Sequence, residues 1–326
     1  MKKALITGVN GQDGSYLAEL LLSKGYDVCG TLKRNSVAEN QTARLENTYN
    51  KIQLVYADIT DLSSLIHVLN KFKPDEIYNL AAQSHVRISF DQPIYTVNTA
   101  GLGVLNLLEA VRLTCPQVKI YQASSSEMFG NNIDKDGFQR ESTLMSPVSP
   151  YGCAKVFAYN ICRNYRNSYN MFISNGILFN HESPRRGSNF VTGKVAKEAV
   201  KIKFGLADTL KLGNLDATRD WGHAKDYVRA MWLILQQNEP GDFICSTGIS
   251  HSVRYLCEYV FTSLELNYRD YVKIDDRFLR PEELHDLKGD STNLRELGWE
   301  PEYTFESMMD EMINYWKIKY TKERHI

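Results

Sequence analysis

The sequence predicts an α/β protein built on a doubly wound parallel sheet, with a smaller α/β substrate-binding domain after it. Strand and helix patterns alternate through the first half, which is typical of βαβ units joined by right-handed crossovers. After Leu178 the elements become shorter and less regular. We therefore expect one domain over residues 1–178 and a second over 179–326, with some segments of the second returning to the first.

A glycine-rich turn near the N-terminus indicates a dinucleotide site of Rossmann-like type. The apolar strand at 3–7 runs into three glycines, and the helical pattern that follows stops at Gly25. Such glycines allow a tight turn, close backbone approach to a pyrophosphate and close packing of helix on strand. The cofactor-binding candidates in this turn are Gly8, Asn10, Gly11, Gln12, Asp13 and Gly14.

The end of the second strand, at 26–31, indicates which dinucleotide binds. An NAD enzyme usually carries an acid there to hold the ribose 2′-hydroxyl. Arg34 and Ser36 stand there instead, and they suit a 2′-phosphate, so we predict NADP; a solvated basic loop is the alternative. The third and fourth strands, expected at 55–58 and 77–82, end in the same crevice and contribute the candidates Asp58, Leu80 and Ala82.

The remaining elements follow in order along the chain. Within the first domain, helices are predicted at 62–72, 95–113 and 151–169, and strands at 75–80, 118–123 and 171–178. Beyond it we expect a polar loop at 180–187, a helix at 189–204, a strand near Leu210, a helix at 224–237, a strand at Phe243, and helices near Val253 and Phe305.

Four side chains around the 151–169 helix are the catalytic candidates. Tyr151 and Lys155 lie four residues apart on one helix face, where an ammonium can lower a phenol's pKa from about 10 towards neutrality. Ser125 offers a hydroxyl for the same substrate oxygen. Glu127 adds a carboxylate that can move a second proton, which a plain dehydrogenase does not need. A second Tyr-x-x-x-Lys at 315–319 lies in an amphipathic stretch and is typical of a surface helix.

Composition excludes several function classes. Hydrophobic content of 43% and charged content of 24% are those of a globular protein. A net charge of −1 gives no long-range attraction to nucleic acid or anionic membrane, so neither is an expected partner. We see no apolar stretch near ~20 residues and no signal peptide, and expect a cytoplasmic location. The six cysteines lack paired spacing and the histidines lack metal-ligand spacing, so we expect reduced thiols and no metal.

Five motifs spread along the chain carry a family resemblance. They read TG and GQDGSYL within 7–17, YNLAAQS at 78–84, YQASSSE at 121–127, GILFNHESPRRG at 176–187 and RDWGHAKDYV at 219–228. Together with Tyr-x-x-x-Lys, they resemble the nucleotide-sugar branch of the extended short-chain dehydrogenases/reductases, and within it the GDP-mannose 4,6-dehydratase family. Ser125 stands where that family usually has threonine, and keeps the hydroxyl.

The resemblance implies residues for NADP and for a GDP-sugar. For NADP it adds Tyr151, Lys155, His181 and Arg186 to the candidates above. For the GDP-sugar it implies Ser84, Glu127, Asn180, Asn189, Val191, Lys194, Leu212, Asn214, Arg219, Arg280 and Glu283. Arginines suit a diphosphate because a guanidinium can bind two oxygens at once. An Arg280–Glu283 ion pair and a domain-closing salt bridge of Arg219 are the alternatives.

The resemblance also implies an activity and an assembly. The activity is 4,6-dehydration of GDP-mannose by internal hydride transfer through NADP, in which Glu127 moves the C5 proton. A GDP-D-glycero-D-manno-heptose 4,6-dehydratase, a GDP-keto-sugar reductase or epimerase, and an NADP-binding regulatory protein are the alternatives. Members of the family pass the loop that corresponds to 34–44 across a subunit boundary, which implies a homotetramer or dimer.

Overall fold

A parallel sheet of seven strands is the frame on which the other elements are arranged. The computed structural model describes residues 1–35, 41–279 and 281–323. In these ranges the strands are β1 (Lys3–Thr7), β2 (Asp27–Leu32), β3 (Gln53–Tyr56), β4 (Glu76–Asn79), β5 (Lys119–Ser125), β6 (Ile173–Leu178), β7 (Asn180–Glu182), β8 (Leu210–Leu212), β9 (Thr218–His223), β10 (Asp242–Cys245), β11 (Ser250–Ser252) and β12 (Val272–Ile274).

Helices connect most of these strands. They are α1 (Gln12–Ser23), α2 (Leu62–Phe72), α3 (Val86–Asp91), α4 (Pro93–Val97), α5 (Gly103–Thr114), α6 (Pro150–Tyr169), α7 (Val191–Lys203), α8 (Ala224–Leu235), α9 (Val253–Thr262), α10 (Tyr268–Tyr271), α11 (Thr292–Glu296) and α12 (Phe305–Glu323). The predicted helix at 62–72 and strand at 3–7 have the bounds expected, and the predicted helix at 151–169 begins one residue earlier.

The strand order of the central sheet places the site. The order is β10-β6-β5-β4-β1-β2-β3, and every neighbouring pair is parallel. The chain adds β2 and β3 on one side of β1 and then continues with β4 on the other side. Ligands of open α/β sheets bind at such a switch point, beyond the carboxyl ends of the strands. The predicted fold class is confirmed. β10 belongs to the second half of the chain and joins the sheet edge, while the two-domain boundary at residue 178 stays a prediction.

Both faces of the sheet are covered because successive strand residues point to opposite sides. Ile6 belongs to one apolar cluster with Leu17 of α1 and Met231 of α8. Its neighbour Leu5 belongs to another, with Val68 of α2 and Val111 of α5. This two-sided burial accounts for the continuous apolar runs that predicted a parallel sheet.

One long helical segment departs from the expectation that no apolar stretch approaches 20 residues. From Pro93 to Thr114, α4, a π-helical turn and α5 run on without a break, with a mean hydropathy of 1.2 over an 18-residue window. The segment is long and apolar enough to cross a membrane by those two measures. Of that window, 56% is buried, and the segment packs against α2 and α6, as the core helix of a folded protein does.

Two small sheets and a separate core form the rest of the chain. The sheets have the orders β11-β9-β7 and β12-β8, and α7, α9 and α12 share an apolar cluster. The polar loop expected at 180–187 was wrong in its first three residues, which form β7. They pair in parallel with β9, with His181 opposite Gly222, and this pairing satisfies backbone groups that a buried loop would leave unpaired.

Candidate active site

The start of α6 fixes the positions of Tyr151 and Lys155. Ser149 caps the helix, its hydroxyl accepting the Gly152 N–H at 3.0 Å, and Pro150 occupies the first helical position. Both are favoured at a helix start. Tyr151 therefore lies in the first turn and Lys155 one turn later, and both side chains are buried.

Lys155 is anchored to the sheet. Its Nζ donates to the Ala123 carbonyl at 2.7 Å and lies 5.6 Å from the centre of the Tyr151 ring. Burial lowers the pKa of Lys155 to about 8. At neutral pH the ammonium is thus still charged, and it loses its proton as the pH rises above about 8.

The phenol of Tyr151 behaves differently from the expectation. Burial raises the pKa of Tyr151 to about 12; a hydrogen bond with the Ser125 hydroxyl opposes this and the charge of Glu127 adds to it. The predicted lowering towards neutrality was therefore wrong for the chain without ligands. The physical reason is that desolvation disfavours a phenolate and that Lys155 is held by Ala123 rather than by the phenol.

Ser125 and Glu127 reach the same place from the end of β5. Ser125 is the last strand residue, and its hydroxyl accepts the Glu127 N–H at 3.3 Å at the start of a short 3-10 helix. A Cβ on Gly152 would lie 2.8 Å from the Glu127 carbonyl oxygen, so the first turn of α6 packs directly on this segment. The structure thus brings the four catalytic candidates together.

A cleft of about 1150 Å³ runs from the glycine-rich turn past these residues to the second part of the chain. It is lined by every described candidate except Arg34, whereas Ser36 and Arg280 lie outside the described residues. The lining candidates are Gly8, Asn10, Gly11, Gln12, Asp13, Gly14, Asp58, Leu80, Ala82, Ser84, Ser125, Glu127, Tyr151, Lys155, Asn180, His181, Arg186, Asn189, Val191, Lys194, Leu212, Asn214, Arg219 and Glu283.

The glycine-rich turn has the shape that a dinucleotide requires. Gly8 has φ +69°, and a Cβ there would lie 3.1 Å from Ala81 Cα. A Cβ on Gly14 would lie 2.5 Å from the Gly8 carbonyl oxygen. The turn therefore admits no side chain at either position. It leads into the N-terminus of α1, whose free N–H groups suit a pyrophosphate.

The cations at the end of β2 are arranged differently from the prediction. Arg34 is exposed, with its guanidinium 5.7 Å from the Tyr56 ring centre. Lys33 lines the cleft instead and pairs with Asp58 at 3.2 Å. Arg44 also lines it, donating to the Asn10 carbonyl at 3.3 Å. Sequence reasoning did not single out Lys33 or Arg44 as cofactor candidates, and the signal that pointed to them was only the basic character of this loop.

His181 and Arg186 each pair with a carboxylate. His181 Nε2 lies 2.8 Å from an Asp13 carboxylate oxygen. Arg186 Nε lies 2.9 Å from a Glu182 oxygen, and its guanidinium stacks 3.6 Å from the Phe190 ring centre. Glu182 was missed by sequence reasoning; its place on a strand became visible only with β7.

The GDP-sugar candidates surround the far end of the cleft. Within the described part of the chain, the buried Asn180 Oδ1 has no hydrogen-bond partner, so it can accept from a ligand. Arg219 lies 3.6 Å from Glu283 and donates to the Thr218 carbonyl at 2.7 Å; the salt bridge considered as an alternative is thus present inside the cleft. Lys194 donates to the Lys211 carbonyl at 2.6 Å.

No metal centre is formed by the residues that the structure describes, since no group of three or more His, Cys, Asp or Glu side chains could hold an ion there. The cleft presents hydroxyl, phenol, ammonium and carboxylate groups beside the glycine-rich turn.

Comparisons with known proteins agree with this geometry. A family model described as GDP-mannose 4,6 dehydratase matches residues 5–312. The chain is 49% identical to GDP-mannose 4,6 dehydratase 2 of Arabidopsis thaliana, covering 96% of this chain and 86% of that protein. It is 47% identical to human GDP-mannose 4,6 dehydratase, covering 95% and 90%. The crystal structure of dTDP-glucose 4,6-dehydratase from Bacillus anthracis in complex with NAD superposes with a TM-score of 0.85 at 22% identity, covering 98% of both chains, which shows a shared fold. The chain belongs to the GDP-mannose 4,6-dehydratase family.

Proposed function

We propose that this chain converts GDP-mannose to GDP-4-keto-6-deoxymannose, with NADP as an internal hydride carrier. The observation that carries the proposal is the buried carboxylate of Glu127 beside Tyr151, Ser125 and Lys155 in one cleft. An enzyme that only oxidises or reduces C4 has no C5 proton to move, whereas a dehydratase needs a second acid/base. The family to which the chain belongs supports the same activity.

The glycine-rich turn, Asp58, Lys33 and Arg44 are the residues that we assign to holding NADP. Bound there, NADP supplies the chemistry of accepting a hydride from C4 of the sugar and returning it to C6. The shape of the turn supports this assignment, because a Cβ on Gly14 would meet backbone at 2.5 Å.

Two side chains act on the C4 hydroxyl. Tyr151 accepts its proton, and Ser125 holds the oxygen, since the Ser125 hydroxyl lines the same cleft and acts on the Tyr151 phenol by lowering its pKa. Tyr151 takes the proton as its phenolate. Because burial raises the pKa of Tyr151 to about 12, the phenolate forms only when positive charge beside it lowers that pKa. Lys155, on the same helix face, supplies an ammonium 5.6 Å from the centre of the Tyr151 ring.

Glu127 completes the dehydration. The C4 ketone acidifies C5; Glu127 removes that proton and delivers one to the departing C6 hydroxyl, which leaves as water. C5 then takes up a proton that comes from solvent, while the hydride held by the bound cofactor would reach C6. The Glu127 side chain is buried in the cleft. We assign the remaining cleft residues to the nucleotide, with the free Asn180 oxygen and the Arg219 guanidinium as its polar anchors.

The test is turnover of GDP-mannose by the purified holoenzyme, followed by mass spectrometry. We expect a product lighter by one water, deuterium from solvent at C5, and no net release of NADPH. Glu127→Gln should keep its affinity for NADP and GDP, lose about 10²–10⁴-fold in turnover and lose deuterium incorporation. Glu198→Gln, on α7 and outside the cleft, is the matched control and should turn over like the native enzyme.

Stoichiometric NADPH release would contradict dehydration and favour a GDP-sugar dehydrogenase. A Glu127→Gln variant within a few-fold of native turnover would mean that another group moves the proton. Turnover of a GDP-manno-heptose in preference to GDP-mannose would replace the sugar in this proposal and leave the reaction type unchanged.

We further propose that the enzyme is a homo-oligomer, a tetramer or a dimer. Ile94 is 74% exposed, and Leu102 and Phe157 are also exposed on the neighbouring helical segments, which supports an apolar contact between subunits. Light scattering at assay concentration tests the proposal, and a fully active monomer would contradict it.

A further inference from the structure

Two sequence motifs that lie about 170 residues apart are joined side by side in the structure. Gln12 Nε2 donates to the His181 carbonyl at 3.0 Å, and the Ser183 hydroxyl donates to Gln12 Oε1 at 2.7 Å. Asp13 pairs with His181 at 2.8 Å. A fourth bond, from Arg185 to the Ser15 hydroxyl, measures 3.0 Å. We call these contacts between residues 12–15 and 181–185 the loop–strand interlock.

The Asp13–His181 pair is the charged element of the interlock. His181 Nε2 faces the Asp13 carboxylate and Nδ1 faces the Phe179 carbonyl at 2.7 Å, so both ring nitrogens are satisfied as donors only when the imidazole carries two protons. The ring also stacks on Tyr227 at 4.4 Å. Burial opposes the charge, but Asp13 outweighs it and raises the pKa of His181. The pair is thus a largely buried ion pair, with side chains 10% and 22% exposed.

One side of the interlock lies at the dinucleotide turn, and the other carries the NADP candidate His181 and runs on to the GDP-sugar candidates. Residues 12–15 are the first turn of α1, next to the dinucleotide turn. Residues 181–185 continue directly from Asn180, and the same stretch of chain leads on to Asn189 and Lys194 at the GDP-sugar end of the cleft. A ligand that orders one side therefore orders the other through four short contacts.

We propose that the loop–strand interlock makes the binding of NADP and the binding of the GDP-sugar strengthen each other. Asp13 and His181 are positioning residues in this proposal and take no part in the chemical steps. This inference rests on the proposed function, since it takes NADP and a GDP-sugar as the two ligands. Because each ligand stabilises an interface that the other also needs, the second to bind has less ordering left to do. Linkage then requires each to raise the affinity of the other by the same factor.

The experiment measures the dissociation constant of NADP from the purified holoenzyme by equilibrium dialysis, with and without saturating GDP as the probe. We expect GDP to lower this constant by at least about 5-fold in the native enzyme. The ratio of the NADP dissociation constant without GDP to that with GDP should come close to one in Asp13→Asn and in His181→Gln. The double variant should lower this ratio no further than either single variant does, because the two residues act as one pair.

A matched control separates coupling from general loss of stability. Asp242→Asn breaks another largely buried ion pair, with Arg166 at 2.5 Å, at the far edge of the sheet and outside the cleft. It should lower the thermal unfolding temperature and leave the GDP-dependent ratio at its native value. If Asp13→Asn does not fold, Ser183→Ala removes one contact of the interlock without touching the ion pair and should lower the ratio part of the way.

The outcomes are distinct. A native NADP dissociation constant that does not respond to GDP, in an enzyme that forms the keto product, would overturn the coupling and leave the proposed function standing. A native ratio that survives in both single variants would also overturn it. Absence of both product and GDP binding would overturn the proposed function together with this inference.

Discussion

Replacing Gly14 by alanine puts a methyl group where the structure has no room for one. Its Cβ would lie 2.5 Å from the Gly8 carbonyl oxygen and 2.7 Å from Val9 Cα. Both neighbours are backbone atoms and cannot rotate away. The start of α1 must therefore move off the glycine-rich turn by roughly 0.9 Å to reach an ordinary contact of 3.4 Å. Overpacking of this kind costs about 1–3 kcal/mol, and a displacement near 1 Å at a binding site costs up to about 10²-fold in rate.

Two measurements check this reasoning. Thermal unfolding should shift down by roughly 2–6 °C, and NADP binding and turnover of GDP-mannose should fall together, because the displaced turn is the one that we assign to the cofactor. Gly101→Ala is the control: its Cβ would meet only Phe157 at 3.4 Å and Ala154 at 3.6 Å. It should be neutral or slightly stabilising in a helical segment. A Gly14→Ala enzyme with native NADP affinity would refute the assignment of the turn.

Three further predictions follow from named groups. Since burial lowers the pKa of Lys155 to about 8, its charge is lost as pH rises through that value and kcat should fall above it; a profile flat to pH 10 would contradict a role for the ammonium. Arg44→Gln should weaken NADP binding roughly 10-fold, which is what one charged hydrogen bond contributes, and Arg34→Gln should weaken it less than about 3-fold, as for an exposed cation. Fluorescence titration with NADP compares the two variants. A larger loss of affinity in Arg34→Gln than in Arg44→Gln would return Arg34 to the role that the sequence predicted. Burial works against ionisation of Asp242, but bonds from Arg166 and Asn175 prevail and hold its pKa below the usual range. Asp242→Asn should thus lower the free energy of unfolding by about 3 kcal/mol at pH 7, and by less at a pH low enough to neutralise the native carboxyl as well. Urea unfolding at pH 7 and at such a low pH measures this, and a loss of stability that does not depend on pH would contradict it.

The regular part of the fold was open to prediction because its signals are local. The strand at 3–7 and the helix at 62–72 follow from runs of apolar residues with a fixed period and from clear start and stop residues. The Asp61 cap and the left-handed Lys73 at the ends of α2 are examples. β7 and β9 were not predicted, because three to six residues of mixed polarity carry no period and become strands only by pairing, β7 with β9 and β9 also with β11.

The sequence by itself determined the sheet of βαβ units, the dinucleotide turn, the Ser/Glu/Tyr/Lys set and the family, since each depends on residue type at short spacing. Only the tertiary structure decided how charges meet. It placed Lys33 and Arg44 in the cleft rather than Arg34, raised the pKa of Tyr151 by burial, and joined Asp13 to His181. Desolvation and Coulomb interaction depend on distance and burial in space, and residues far apart in the chain acquire both only when it folds.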